Sequence, residues 1–347
     1  MHVEREAPQI DIQLEKSPVR RPWLHFAAVP WEVVVRAVRG ADGGVVVDQV
    51  DEPPGSGELL DMRATSVCAS DLMYIGLGSR RILGHELAGI APDGTPVVVE
   101  ALYGCMACEP CRRGAYNLCP THGQRALGVT ADGGMAEQFR APAARLVPLP
   151  PGLDVADAPI VEPASVSWHA LRLAGTGPGR RVAVVGAGAL GLLAVAGARE
   201  MGGEDVALEA RHRHQQEVGE RLGARIGPDD AGYDVVVEAA GTPDSLARAI
   251  DLVAPHGTVV VLGVHLGTVE LNWMPLFHRE ASLVPSLGYC AHDGRREMED
   301  AAAMLAADPD IARAVITHRF GIDEAAEAFR VAGDRSAGAI RVVIEPS

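Results

Sequence analysis

Four of the six cysteines of the chain fall within the segment "GCMACEPCRRGAYNLC", with the spacing C-x2-C-x2-C-x7-C. They are Cys105, Cys108, Cys111 and Cys119. Thiolates at such short spacings can meet at one point, and four of them complete the tetrahedral shell of zinc. Similar spacings also hold iron–sulfur clusters, whereas disulfides are rare in the reducing compartment that we expect. The spacing predicts a structural zinc, whose closed shell leaves no position for a substrate.

A second pattern, "VVGAGALG", contains G-x-G-x-x-G at Gly186, Gly188 and Gly191. It follows an apolar β-like run and opens a helix-like run, which is the context in which this pattern binds dinucleotides. Gly186 permits a tight turn, Gly188 lets the backbone approach a pyrophosphate, and Gly191 lets the helix pack closely on the strand. The helix N-terminus, with Ala189 and Leu190, then faces the pyrophosphate. The alternative is a glycine-rich turn in another doubly wound fold.

The end of the next predicted strand should select the coenzyme. An acidic residue about 20 positions after the glycines binds the ribose 2′-OH of NAD, whereas arginine suits the 2′-phosphate of NADP. Ala210 stands at this position, followed by Arg211, His212 and Arg213. Glu209 comes one residue too early, and the alternation of side chains along a strand points it to the other face. We predict NADP(H) in preference to NAD(H), although a shift of one residue would restore Glu209.

Two kinds of sequence pattern surround these motifs. From Trp31 onward, short β-rich runs separated by Gly, Pro and Asp clusters predict an all-β region with tight turns. After Ala158, apolar runs alternate with amphipathic helical segments, which predicts a doubly wound parallel sheet. Gly241 and Gly263 follow two of the predicted strands, and we assign them to the coenzyme pocket. The predicted fold class is α/β, with a β-rich domain and a parallel-sheet domain.

The composition indicates a globular protein that acts on a small molecule. The chain has 347 residues, of which 48% are hydrophobic, and a formal net charge of −15. So acidic a chain lacks the positive surface that binds nucleic acid or an anionic membrane. Residues 182–198 are uncharged, but the glycines favour a strand, a turn and a helix over a membrane span. The arginine pair before residue 23 precedes an apolar stretch too short for export, so we predict a cytoplasmic protein.

In combination, the ordered motifs resemble the zinc-containing medium-chain dehydrogenase/reductase family, which includes the alcohol and polyol dehydrogenases. The resemblance covers residues 31–347 and leaves residues 1–30 unmatched. Besides the cysteine and glycine patterns, it rests on "VCASDL" (67–72), "LGHELAG" (83–89), "DGGMAEQF" (132–139), "VEPASVSWHAL" (161–171), "VVVEAAG" (235–241) and "THRFGIDEAAEAF" (317–329). It implies a GroES-like catalytic domain of residues 1–165 and 293–347, into which a Rossmann domain of residues 166–292 is inserted.

The resemblance also implies a catalytic zinc held by Cys68, His85 and Glu162, with Glu86 as a near or exchangeable ligand. Three ligands of mixed sulfur, nitrogen and oxygen type leave one position open for water or a substrate oxygen. Considered singly, Cys68 could be a small buried apolar residue, as we expect for Cys290. His85 could equally be a turn residue, and Glu162 a charge at a helix N-terminus. Their order within the motifs favours the zinc site.

Further residues of the same motifs would support the chemistry. Asp71 would orient His85, as partners of ligating histidines commonly do, and Ser70 would begin a proton relay. Many members of the family have a histidine where this chain has Met73, and a thioether cannot relay a proton. The segment after Tyr74, which shapes the substrate cleft in relatives, is short in this chain.

The reaction implied is the reversible oxidation of an alcohol by hydride transfer, with one catalytic and one structural zinc in each chain. The glutamate at position 162 resembles the polyol and sugar branch of the family, so a polyol or another secondary alcohol is favoured. The alternatives are a reductase of an activated C=C or C=N bond and a non-catalytic relative that binds coenzyme. Members of the family are dimers or tetramers, so we expect a homo-oligomer, with residues 269–289 as a candidate interface strand.

Overall fold

The structure, a computed structural model, describes residues 34–346 except His122, Gln124 and Arg335. The predicted extension of residues 1–30 lies outside the described residues. Two large sheets dominate the described part, one of seven strands and one of six. None of the helices in the described part of the chain has the length and apolarity needed to cross a bilayer.

The first part of the chain forms short strands and two short helices. They are β1 (Val35–Ala41), β2 (Gly44–Val50), β3 (Glu58–Ser66), α1 (Ala69–Gly76), β4 (Leu87–Ile90), β5 (Pro96–Val99), α2 (Glu109–Arg112), β6 (Gln138–Ala141) and β7 (Leu146–Pro148). Leu60, Met62 and Ala64 on β3 are buried because alternate side chains of a strand face the same side. The predicted β-rich region is therefore present.

The middle of the chain alternates strands with helices. The elements are α3 (Val161–Leu173), β8 (Arg181–Val185), α4 (Ala189–Glu200), β9 (Asp205–Glu209), α5 (Arg213–Arg221), β10 (Arg225–Ile226), β11 (Tyr233–Glu238), α6 (Pro243–Leu252), β12 (Val253–Val261), α7 (Met274–Arg279) and β13 (Ser282–Pro285). The strands form a parallel sheet in the order β10-β9-β8-β11-β12-β13. Central strands such as β8 are buried on both faces, as parallel sheets require. The predicted fold class is confirmed.

The last part of the chain returns to the first sheet. It consists of β14 (Ala291–His292), β15 (Arg295–Arg296), α8 (Glu297–Ala307), α9 (Asp310–Val315), β16 (Ile316–Gly321), α10 (Ala325–Gly333) and β17 (Arg341–Glu345). The larger sheet has the order β16-β17-β3-β4-β5-β7, with β6 also paired to β3. Because β17 pairs with β3 through Val343 and Ser66, it lies beside the segment that leads into α1.

The central strands of the parallel sheet end in register. Val185 of β8 pairs with both Glu209 of β9 and Glu238 of β11, and Glu238 pairs with Val261 of β12. These four strand ends form one edge, and open α/β sheets bind their ligands outside the carboxyl ends of the strands.

Candidate active site

The start of α1 fixes the positions of Cys68 and Asp71. Cys68 is the N-cap of the helix, and its backbone N–H donates to Oδ2 of Asp71 at 2.9 Å. Asp71 is fully buried, and its Oδ1 lies 3.3 Å from Nδ1 of His85 without the alignment of a hydrogen bond. Asp71 therefore faces the Nδ1 side of the imidazole and leaves Nε2 directed to other partners.

The imidazole of His85 lies in a tightly packed turn. Gly84 has a φ of +95°, and a Cβ at this position would lie 2.7 Å from a neighbouring backbone nitrogen. Nε2 of His85 lies 3.3 Å from the hydroxyl oxygen of Ser70. Burial alone would lower the pKa of His85, but the negative charges of Asp71 and Cys68 raise it well above its ordinary value. The pocket therefore favours positive charge at this point.

Three of the four predicted ligands of a catalytic metal converge in one pocket, and Glu162 is not among them. The sulfur of Cys68, a ring nitrogen of His85 and a carboxylate oxygen of Glu86 lie within 4.8 Å of one another. Glu162, in the first turn of α3, is buried, and burial followed by the charge of Glu86 raises its pKa to about 8. Carboxyl groups in such a site remain ionised only beside a cation. A thiolate, an imidazole and carboxylates form a donor set that fits zinc.

Glu86 differs from Glu162 because it already has a cationic partner. Nη1 of Arg341, on β17, donates to Oε1 of Glu86 at 2.9 Å and to Oε2 at 3.0 Å, and the hydroxyl of Ser66 donates to Oε2. The same Nη1 donates to the carbonyl of Val67 at 3.0 Å. The guanidinium balances the charge of Glu86, whereas burial and the charge of Glu86 raise the pKa of Glu162 although the charges of His85 and Arg341 oppose the rise. No sequence pattern pointed to Arg341, since 255 positions separate it from Glu86.

The four cysteines of residues 104–119, a segment that we call the lobe, converge in space; they are Cys105, Cys108, Cys111 and Cys119. Their sulfurs all lie within 4.8 Å of one another, and none of the chain's six cysteines, all in the described part, is paired in a disulfide. The N–H of Cys108 donates to the sulfur of Cys105 and the N–H of Cys105 to that of Cys119, both at 3.3 Å. Hydrogen bonds from Thr121 and from the Cys105 N–H lower the pKa of Cys119 to about 5. Because zinc binds thiolates, the lobe fits a structural zinc.

A third buried group contains His169, Cys290 and Glu297, whose potential ligand atoms also lie within 4.8 Å of one another. Nδ1 of His169 lies 2.8 Å from Oε2 of Glu297, and Nε of Arg172 donates to Oε1 at 2.5 Å. The guanidinium of Arg172 supplies the cation of this group, so we assign no metal to it. Cys290 is buried as expected, but its neighbours are polar. No sequence pattern indicated this group, because its members lie on distant segments.

The glycines of the G-x-G-x-x-G pattern have the geometry that a dinucleotide requires. Gly186 has a φ of +107°, and a Cβ on Gly191 would lie 1.8 Å from the carbonyl oxygen of Gly186. Among the residues that the structure describes, and apart from its two neighbours along the chain, none has an atom within 4 Å of the position that a Cβ of Gly188 would take. Directly after it, α4 begins with Ala189 and Leu190, so free backbone N–H groups of a helix N-terminus border this space. The arrangement fits a pyrophosphate.

Gly241 and Gly263 lie at the same edge of the parallel sheet, after β11 and β12. A Cβ on Gly263 would lie 2.3 Å from the backbone nitrogen of Gly241. The two loops therefore touch through their backbones, and any larger residue at position 263 would separate them.

The end of β9 presents an uncharged residue followed by cations. Ala210 packs against the core cluster that includes residues of α4, whereas Oε2 of Glu209 accepts a hydrogen bond from Nε of Arg248, on α6, at 2.7 Å. The two side chains thus face opposite sides of the sheet, as the alternation predicts. Arg211 is exposed, and Arg213 opens α5 with Nε 2.9 Å from Oε1 of Glu217.

Family models match both halves of the chain. Residues 56–151 match the model of the alcohol dehydrogenase GroES-like domain, and residues 156–345 match the model of the glucose dehydrogenase C-terminus. Together these segments include the lobe cysteines, the G-x-G-x-x-G pattern and all the candidate zinc ligands.

Similar proteins are dehydrogenases. L-threonine 3-dehydrogenase of Pyrococcus abyssi is 30% identical over 343 residues, with 86% of this chain and 94% of the relative covered. L-galactonate-5-dehydrogenase of Escherichia coli is 28% identical over 307 residues, covering 80% of this chain and 88% of the relative. A solved structure described as a zinc-binding dehydrogenase of Sinorhizobium meliloti, bound to NADP, has a TM-score of 0.79 and 27% identity, and covers 90% of this chain and 99% of that chain. The chain belongs to the zinc-containing medium-chain alcohol dehydrogenase family and is an alcohol dehydrogenase-type oxidoreductase.

Proposed function

We propose that the protein interconverts a secondary alcohol or polyol and its carbonyl compound with zinc, and uses NADP(H) in preference to NAD(H). The observation that carries the proposal is the pocket in which Cys68, His85 and Glu86 converge, with Glu162 coupled to it by charge, since burial and the charge of Glu86 raise the pKa of Glu162 to about 8. We assign Cys68, His85 and Glu162 as ligands of a catalytic zinc, with Glu86 as a near or exchangeable ligand. The four lobe cysteines would hold a second, structural zinc. Relatives named for L-galactonate and L-threonine, both hydroxyl-bearing compounds, support alcohol chemistry.

The proposal gives each residue of the site a role. When bound, zinc supplies a Lewis acid for the substrate oxygen, and the nicotinamide accepts or supplies the hydride. Asp71 orients the ring of His85 from its Nδ1 side. Ser70, with Oγ 3.3 Å from Nε2 of His85, lies where it can hold the proton of the alcohol and pass it to water. Met73 on the same helix offers no exchangeable proton, so the proton path runs through Ser70.

The preference for NADP(H) rests on charge at the end of β9. Ala210 offers no carboxylate to a ribose 2′-OH, and Arg211 and Arg213 place positive charge beside it. Glu209, the nearest acidic residue along the strand, is paired with Arg248. A 2′-phosphate would therefore meet more positive than negative charge.

We propose that the chain divides as the resemblance implies, into residues 1–165 with 293–347 and residues 166–292. In support, the strands of the larger sheet come from residues 58–148 and 316–345, whereas those of the parallel sheet come from residues 181–285.

We also propose a homodimer or homotetramer in the cytoplasm. Large apolar side chains are exposed in the segment that connects β12 to β13, an edge strand of the parallel sheet; they include Val264, Leu266, Trp273 and Phe277. Exposed apolar patches of this kind commonly mark interfaces. None of the six cysteines, all in the described part of the chain, forms a disulfide, which suits a reducing compartment.

Elemental analysis of protein purified without added metal, followed by coenzyme consumption with alcohols and carbonyl compounds, tests the proposal. We expect about two zinc ions per chain, one for each ligand group, and alcohol-dependent reduction of NADP. One zinc per chain together with reduction of C=C or C=N bonds alone would favour the reductase alternative. A zinc-loaded protein that consumes no coenzyme with any substrate would contradict the proposal.

A further inference from the structure

One buried carboxylate joins two loops at the carboxyl edge of the parallel sheet. We propose that the coenzyme binds at this edge and call it the coenzyme edge. Glu238 is the last residue of β11 and is fully buried. Its Oε1 accepts from the backbone N–H groups of Ala240 and Gly241, both at 2.8 Å, and from the hydroxyl of Ser245 at 2.6 Å. Its Oε2 lies 3.2 Å from Nε2 of His265, which follows β12. One oxygen thus holds the loop after β11, and the other holds the loop after β12.

The backbone of Glu238 makes the same connection. Its carbonyl accepts from the N–H of Leu262 at 2.8 Å and from that of Gly263 at 3.1 Å. The two loops then meet where a Cβ on Gly263 would lie 2.3 Å from the backbone nitrogen of Gly241. Both loops leave the sheet at its carboxyl edge, where β11 lies directly beside β8, the strand that ends at Val185 and leads into Gly186.

The segment after Gly263 depends on His265. Val264 and Leu266 on either side are 71% and 77% exposed, whereas the side chain of His265 is 12% exposed. Within the described part of the chain, the contact with Glu238 is the only hydrogen bond that ties residues 264–268 to the rest of the molecule. Removing it would free a surface segment at the coenzyme edge and leave the core strands intact.

We propose that His265 is a positioning residue for the nicotinamide coenzyme, acting through Glu238 to hold the loops after β11 and β12 in their binding conformation. The proposal rests on the proposed coenzyme site at this edge. Ordering these loops before binding lowers the conformational cost of binding, so the effect should appear in coenzyme affinity and leave the chemical step largely unchanged.

Three substitutions at one position test the proposal. In His265→Gln, the amide nitrogen reaches about as far as Nε2 and can still donate to Glu238, whereas in His265→Asn it is too short. His265→Ala removes the donor. We expect His265→Ala and His265→Asn to raise the coenzyme Kd about tenfold or more, the effect of one lost hydrogen bond to a charged group, with kcat at saturating coenzyme near that of the wild type. His265→Gln should recover most of the affinity.

The matched control is His256→Ala. Nδ1 of His256 lies 3.6 Å from Oε2 of Glu280, and both side chains are 77% exposed. His256 lies on β12 before its carboxyl end, and Glu280 directly follows α7. The variant removes a histidine–glutamate pair without changing a residue of the loops after β11 and β12. We expect its coenzyme Kd to equal that of the wild type.

Fluorescence titration of the full chain with NADPH and with NADH, without substrate, gives the Kd values. Unchanged affinity in His265→Ala and His265→Asn would overturn the proposal. A loss that His265→Gln does not reverse would also overturn it, because the effect would not run through a donor to Glu238. Wild-type protein that binds neither coenzyme would overturn the proposed function itself, a result visible before any variant is made.

Discussion

Nη1 of Arg341 lies within 3.0 Å of both carboxylate oxygens of Glu86, and both side chains are buried. The pair joins β17 to the turn that carries His85. It balances the charge of Glu86 beside Cys68 and His85, the other two members of this group of candidate metal ligands.

The first prediction concerns this pair. Arg341→Leu leaves the carboxylate of Glu86 buried without its cationic partner, so we expect the free energy of unfolding to fall by about 3–5 kcal/mol. Urea denaturation measures the loss. Arg341→Leu combined with Glu86→Gln should recover part of it, and Arg330→Ala, which breaks an exposed pair with Glu327, should change stability by about 1 kcal/mol or less. Equal losses in all three variants would contradict the assigned role.

The second prediction concerns the lobe. Cys111 is buried among the four converging sulfurs, so Cys111→Ser should remove about one zinc per chain and lower stability, since structural zinc contributes directly to folding. Elemental analysis checks the metal content. The control is Cys290→Ser, because Cys290 is also buried but lies outside the lobe, and its zinc content should match that of the wild type. Equal zinc contents in the two variants would argue against a lobe zinc.

The third prediction concerns the proton path. Ser70→Ala should lower kcat about 100-fold, the usual scale for loss of a proton-transfer group, with little change in zinc content. Steady-state kinetics with a saturating alcohol measures the change in kcat. Met73→Leu keeps the size of the side chain and removes only a thioether, so its kcat should stay near that of the wild type. If the leucine variant loses as much activity as the alanine variant, the helix surface and not the hydroxyl is responsible.

The fourth prediction concerns coenzyme choice. Arg211→Ala combined with Arg213→Ala should weaken NADPH binding at least tenfold, the scale of one charged hydrogen bond, and should leave NADH binding almost unchanged. Arg248→Ala should also weaken NADPH binding relative to NADH binding. It removes a positive charge near the end of β9 and leaves the negative charge of Glu209 unpaired, which disfavours a 2′-phosphate. Adding Glu209→Ala to Arg248→Ala should restore the wild-type ratio of the Kd for NADPH to the Kd for NADH. Titration with both coenzymes measures these ratios, and equal loss for NADPH and NADH would refute the assignment.

The fifth prediction concerns pH. Burial raises the pKa of Glu100 to about 7, although a hydrogen bond from Tyr116 and the charge of Arg296 oppose the rise. The folded state therefore holds a proton that the unfolded state releases near pH 4.5, so the stability contributed by this group declines as pH rises from about 4.5 to 7. Over this pH range, the contribution of Glu100 to the free energy of unfolding falls by about 3 kcal/mol in total. Urea denaturation of the zinc-loaded protein gives the free energy of unfolding at pH 5 and at pH 8. The decrease between the two pH values should be smaller for Glu100→Gln than for the wild type.

A control separates Glu100 from the other carboxyl groups. Glu109→Gln alters an exposed carboxylate paired with Arg113, so it should keep the pH dependence of the wild type. If Glu100→Gln also keeps the pH dependence of the wild type, a group other than Glu100 causes it, and the prediction is wrong.

Local spacing explains why much of this molecule could be predicted. The lobe cysteines lie within one short segment, and the glycines around Gly188 lie within one turn, so sequence distance limits their distance in space. The alternation of strands and helices after residue 158 likewise predicts a parallel sheet, because each crossover needs a helix. These features depend on neighbours along the chain.

The unpredicted features depend on the order of strands in the sheets. Arg341 reaches Glu86 because β17 inserts beside β3, and His265 reaches Glu238 because β11 and β12 are neighbours. Arg172 meets Glu297 across 125 positions. A buried arginine or histidine has no periodicity that names its partner, so such pairs become visible only when the topology is known.

The insertion of β17 beside β3 also sets an order of events during synthesis. The parallel sheet comes from one continuous stretch, residues 181–285, and can begin to fold while the ribosome is still translating the chain. The metal pocket cannot reach its final charge balance at that stage, because Arg341 is made after every strand of that sheet. We therefore expect the nascent chain to acquire its nucleotide-binding half first and its electrostatically complete metal centre last.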